Sequence, residues 1–66
     1  MTVIVNGQPQ QVSAGVTLAE LLTELQFPRR GIAVEINEAI VPRMRYAEQT
    51  LTEGDRLEVV SLVGGG

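Results

Sequence analysis

Leu18, Leu21, Leu22 and Leu25 stand at i, i+3, i+4 and i+7, one apolar stripe of helical period with Glu20 and Glu24 off it. Thr17 precedes the stripe. Its hydroxyl is placed to accept from a free backbone N–H, and Glu20, three residues on, to reach back to the Thr17 amide, which is a capping box. Pro28 is expected to stop the helix and Gly31 to mark the next turn. This is the one long helix in the pattern. A single helix covers one face of a sheet and leaves the other open, so the chain is limited to two layers around one core. With 66 residues it makes one domain. A domain of that size buries only roughly 60% of its unfolded surface, so the core is thin.

The remaining segments read as strands. Thr2 to Val5 are β-branched throughout. Asn6-Gly7 is a tight-hairpin dipeptide, because both positions tolerate positive φ. Gln8 to Val12 then returns, and Pro9, which cannot donate to a ladder, assigns this strand to an edge. Ser13-Ala14-Gly15 is a turn into the helix. Ile32 to Ile36 alternates, with Val34 and Ile36 on one face and Glu35 on the other. Asn37-Glu38 turns, and Ala39-Ile40-Val41 forms a short strand ended by Pro42. Met44 to Thr52 reads as a helical turn plus loop, with Leu51 packed inward. Gly54-Asp55 turns into a last strand, Arg56 to Leu62, where Leu57 and Val59 share a face opposite Arg56 and Glu58.

Strand, strand, helix, strand, strand, strand is the order of an α+β, ubiquitin-like β-grasp: a mixed sheet of four to five strands with one main helix packed on one face. Residues 1–63 make the β-grasp domain, and 64–66 make a flexible C-terminal glycine tail. Phe27 and Tyr46 are the only aromatics, so Val, Ile and Leu must fill the interior.

Gly64-Gly65-Gly66 carries the functional information. Without Cβ, a glycine tail takes almost any backbone conformation and passes through a slot too narrow for side chains. Three extended residues reach about 10 Å, enough to place a terminal carboxylate inside another protein's active site. A terminal carboxylate is ionised at pH 7 and repels nucleophiles, so it reacts only after conversion to a mixed anhydride, as adenylation by ATP provides. The chain has no Lys and no phosphate-binding glycine loop, so the activating machinery belongs to a partner and the chain binds no cofactor itself.

Enzymatic chemistry has little support. The chain has no His and no Cys, which removes the usual metal ligands, the base that would activate Ser13 or Ser61, and disulfides. The eight carboxylates show no paired spacing on one element, so a general acid–base site is not expected. A formal charge of −3 argues against nucleic acid and against an acidic membrane surface, and in favour of a basic partner. No apolar run approaches the roughly 18 residues of a membrane span, and the N-terminus lacks a basic leader, so the expected location is cytoplasmic.

Several stretches together resemble the ThiS family, the sulfur carriers of thiamine biosynthesis. These are the opening strand with Asn6-Gly7, Ala14-Gly15 with Thr17 and the leucine helix, Ala33-Val34-Glu35-Ile36-Asn37 followed by Ile40-Val41-Pro42-Arg43, Gly54-Asp55, and Val63-Gly64-Gly65-Gly66. The resemblance implies that a ThiF-type adenylyltransferase, using MgATP, adenylates the Gly66 carboxylate. A sulfur-donor protein then converts Gly66 to a thiocarboxylate, and a ThiG-type thiazole synthase receives the sulfur. Gly64 and Gly65 would be the part of the tail that enters the partner's active site. Ser61-Leu62-Val63 occupies the place where the related molybdopterin-synthase small subunit carries a Pro-Pro-containing end. A molybdopterin-type sulfur carrier, a ubiquitin-like modifier conjugated through Gly66, and a plain interaction domain are the alternatives.

Val60 and Leu62 fall on the face opposite Leu57 and Val59, and Ile4 joins them if the first and last strands are neighbours. With Arg43 they are the candidates for partner docking beside the tail.

Overall fold

The computed structural model describes residues 1–62. Five strands, β1 (Thr2–Val5), β2 (Gln8–Gln11), β3 (Ile32–Ile36), β4 (Ala39–Val41) and β5 (Arg56–Ser61), form one sheet in the order β2-β1-β5-β3-β4. The β1–β5 pair is parallel and the other three are antiparallel. One α-helix, α1 (Leu18–Glu24), and a 3-10 turn at Arg43–Arg45 complete the fold. It is a mixed sheet with a single main helix, as the sequence predicts, and of the four to five strands expected the described residues form five.

The helix starts as its sequence demands. Glu20 N–H donates to Thr17 Oγ1 at 3.2 Å, and Thr17 N–H donates to Glu20 Oε1 at 2.9 Å. Its end differs from expectation. The last helical residue is Glu24, four positions before Pro28. Gln26 takes φ +64°, Gln26 N–H donates to Thr23 O, and Phe27 N–H donates to Leu22 O. This is a Schellman closure, with glutamine in the left-handed position that usually falls to glycine.

Leu18, Leu21 and Leu22 are buried against Val3 and Val5 of β1, Val34 and Ile36 of β3, Val41 of β4, and Leu57 and Val59 of β5. Leu25 and Phe27 pack partly buried at the margin. Leu51, in the loop before β5, is also in the core at 2% exposure. Full burial of each such side chain contributes about 1.5–3 kcal/mol. Pro9 sits on β2 at one edge of the sheet, where its missing N–H costs no ladder bond.

The two hairpins turn alike. Asn6 and Gly7 have φ +50° and +82°, while Asn37 and Glu38 have φ +50° and +72°. Two positive values in succession mark a type I′ turn. The second hairpin makes it with glutamate where glycine is favoured. Among the described residues, no helix is long and apolar enough to cross a membrane.

Candidate functional site

β5 leads to the glycine tail, and it lies in the centre of the sheet with a neighbour on each side. On the β1 side, Ile4 N–H donates to Asp55 O and Asn6 N–H to Leu57 O, each at 2.9 Å. The chain then turns away at Gly7, and the Asn6 side chain takes over. Val59 N–H donates to Asn6 Oδ1 at 2.8 Å, and Asn6 Nδ2 donates to Val59 O at 3.2 Å. The side-chain amide stands where the next peptide of a longer β1 would stand.

On the β3 side the pairing runs further. Ile32 is in register with Ser61, and Leu62 N–H donates to Gly31 O at 2.7 Å. Asn37 secures the start of the strand: Arg56 N–H donates to its Oδ1 at 3.0 Å, Asn37 N–H donates to Arg56 O at 2.7 Å, and Asn37 Nδ2 donates to Asp55 Oδ1 at 3.0 Å. Asp55 also accepts from Thr52 N–H and Thr52 Oγ1, at 2.8 and 3.0 Å, which fixes the turn into β5. The strand is thus held in backbone register from its first residue to the last one described.

Gly64, Gly65 and Gly66 lie outside the described residues. The other candidates are placed. Val60 is 50% exposed and Leu62 67% exposed. Val60 sits on the face of β5 that α1 does not cover, and Leu62 continues the same alternation. Ile4 is half-buried on that face, but it pairs with Arg56, four residues before Val60. At a rise of about 3.3 Å per residue, roughly 13 Å separates the two levels, with Glu58 between them. The structure therefore brings Val60 and Leu62 together at the exit and leaves Ile4 further down the sheet. Arg43 is exposed, and its Nη2 donates to Arg29 O at 2.9 Å, tying the turn after β4 to the loop before β3.

Two further residues, Ile40 and Glu35, belong to this surface, and Met44 is exposed on the turn after β4; none of the three was a docking candidate from the sequence. Ile40 is 73% exposed and pairs with Glu35, so it lies on the uncovered face. Its signal was hidden because Ala39-Ile40-Val41 is apolar throughout, and only alternation could have shown which residue faces out. Met44 is 89% exposed beside Arg43. Glu35 faces Glu58 directly across β3 and β5, a like-charge opposition that disfavours the sheet and that only the strand register could show. Neither carboxylate has a polar partner among the described residues.

Comparison with known proteins adds to this geometry. The pattern of the ThiS family matches residues 3–66. The sulfur carrier protein ThiS of Escherichia coli is 36% identical over 66 residues, covering the whole of both chains. A thiazole synthase of Paramagnetospirillum magneticum is 42% identical over 66 residues, all of this chain but 20% of that protein. The chain thus spans a fifth of the length of the thiazole synthases it matches. In solved structures, the thiamine biosynthesis protein ThiS from Geobacter metallireducens superposes with a TM-score of 0.85 at 30% identity, with full coverage of both chains.

Proposed function

The chain belongs to the ThiS family of sulfur carrier proteins of thiamine biosynthesis, and from that premise we propose that it works by presenting the Gly66 carboxylate on a glycine arm to partner enzymes. The observation that carries this reading is the placement of β5. The strand preceding the arm is central, bonded on both sides, and is followed by an exposed Leu62. A rigid root and a side-chain-free arm together allow the body to dock outside an active site while the tip reaches in.

The chemistry follows from the carboxylate. A Gly66 oxygen attacks the α-phosphorus of ATP held with magnesium by a ThiF-type adenylyltransferase, and pyrophosphate leaves. A donor protein's cysteine persulfide, reduced by two thiols that leave as a disulfide, releases hydrosulfide, which then attacks the acyl carbon. The C–S bond forms as the C–O bond to AMP breaks, a proton is released, and a thiocarboxylate remains. Its sulfur is the stronger nucleophile and is tethered for transfer to a ThiG-type thiazole synthase. The thiazole synthases that contain a segment similar to this whole chain support that choice of acceptor. Val60 and Leu62, with Arg43 beside them and Ile4 further along the face, are the docking residues of this reading.

Intact mass after incubation with the adenylyltransferase, MgATP and sulfide tests the proposal. The expected product is the chain with one oxygen replaced by sulfur, and a variant lacking Gly66 should not form it. Conjugates of higher mass, or an unchanged mass, would refute the reading.

A further inference from the structure

The net charge is −3, yet the charges are segregated. Segments 27–34, 41–47 and 59–66 contain Arg29, Arg30, Arg43 and Arg45 and no Asp or Glu. The rest of the chain contains Arg56 and all eight Asp and Glu residues. The fold gathers three of these arginines at one place. Arg29 and Arg30 are exposed and immediately precede Gly31, whose carbonyl accepts from Leu62 N–H at 2.7 Å. Arg43 is exposed too, and its Nη2 holds Arg29 O at 2.9 Å. The last described residue before the arm therefore bonds to a loop that carries Arg29 and Arg30 and is tied to Arg43, three exposed arginines within an otherwise acidic molecule.

The length of the arm makes this cluster matter. Four residues follow Leu62, and four residues span at most about 14 Å. For the tip to reach a reacting centre, the rim of the slot that admits it must come close to the base of the arm, and so to Arg29, Arg30 and Arg43. Resting on the reading above, we propose that these arginines form a cationic collar that matches an acidic rim around the slot of the activating adenylyltransferase. The net charge of the chain points to a basic partner; the charge at the place of contact points the other way. Exposed charges at the edge of an interface act chiefly on the association rate and its salt dependence. The collar thus orients the carrier arm-first, and it contributes little once the complex has formed.

The test is stopped-flow association of the full chain with its adenylyltransferase at a series of salt concentrations. Arg29→Gln/Arg30→Gln is compared with the unmodified chain, and Arg43 is left in place because it braces the loop. The double variant is expected to associate about tenfold more slowly at low salt and to show a flatter salt dependence, with the dissociation rate nearly unchanged. Arg29→Glu/Arg30→Glu should deepen both effects. Circular dichroism of each variant reports that the fold is intact. Equal association rates and equal salt slopes for all three proteins would overturn the collar, as would faster association of the reversed variant. If the unmodified chain is adenylated when the same enzyme preparation is given MgATP and read by intact mass, that failure concerns the collar alone; if it is not, the carrier reading falls as well.

Discussion

The side-chain amide of Asn6 bonds both backbone groups of Val59, accepting from its N–H at 2.8 Å and donating to its carbonyl at 3.2 Å. The two residues are 53 positions apart, and their link extends β1 by the equivalent of one peptide after the chain has already turned.

Each of these hydrogen bonds contributes about 0.5–1.5 kcal/mol net. Alanine at φ +50° would add a left-handed cost of about 1–2 kcal/mol, whereas glycine would not. Asn6→Ala is therefore expected to lower stability by about 2 kcal/mol, and Asn6→Gly by about 1. Urea unfolding of the two variants separates the clasp from the turn. Equal losses would show that the left-handed strain contributes nothing, and an Asn6→Gly variant as stable as the original would show that the hydrogen bonds contribute nothing.

Gln26 and Glu38 occupy left-handed backbone at φ +64° and +72°. Gln26→Gly and Glu38→Gly should each raise stability by about 0.5–1 kcal/mol, since the strain they relieve exceeds the added freedom of the unfolded chain. Thermal and urea midpoints check this, and a decrease in either variant contradicts it.

Leu51 is a core residue supplied by a loop, 2% exposed and with no helix or strand of its own. Leu51→Ala should cost about 2–5 kcal/mol, against a total of about 3–10 kcal/mol for a chain of this length. The variant is expected to be partly unfolded at 37 °C by circular dichroism.

Glu35 directly opposes Glu58 on the open face. Glu35→Lys should stabilise by about 0.5 kcal/mol by turning repulsion into attraction. The gain should shrink in about 1 M salt, where charges are screened beyond roughly 3 Å. A gain independent of salt would mean that the charges are not its source.

Val60 and Leu62 are exposed and contribute nothing to the core. Leu62→Asp should leave the unfolding midpoint within about 0.5 kcal/mol of the original. The same change should weaken binding to both the adenylyltransferase and the thiazole synthase in pull-down. Undiminished capture by either enzyme would remove this residue from the docking surface.

What the sequence made legible is local. Thr17 and Glu20 announce their capping box because both partners lie within one turn. Asn6-Gly7 announces its hairpin because the turn needs only those two residues. Pro9 marks an edge because its missing N–H is intrinsic. The alternation of Leu57 and Val59 with Arg56 and Glu58 gives the two faces of β5 directly. What was not legible depends on partners distant in sequence or on a residue doing another's work. The helix ends at Glu24 and closes through Gln26, but no glycine marks that closure, so Pro28 drew the boundary. The clasp of Asn6 on Val59 requires knowing that β1 and β5 are neighbours, and so does the position of Ile4 opposite Arg56. Arg43 reads as a surface charge until its hydrogen bond to Arg29 O is seen. The gathering of Arg29, Arg30 and Arg43 is likewise invisible in a net charge of −3.

The central position of β5 also has a mechanical meaning. A pull applied through the arm travels along a strand flanked by β1 and β3, so the bonds on both flanks are loaded lengthwise and together rather than peeled open one at a time. An edge strand such as β2 or β4 has a neighbour on one side only and would share that load across half as many flanks. A partner drawing the tip inward, as proposed above, would load a body that keeps its shape behind it.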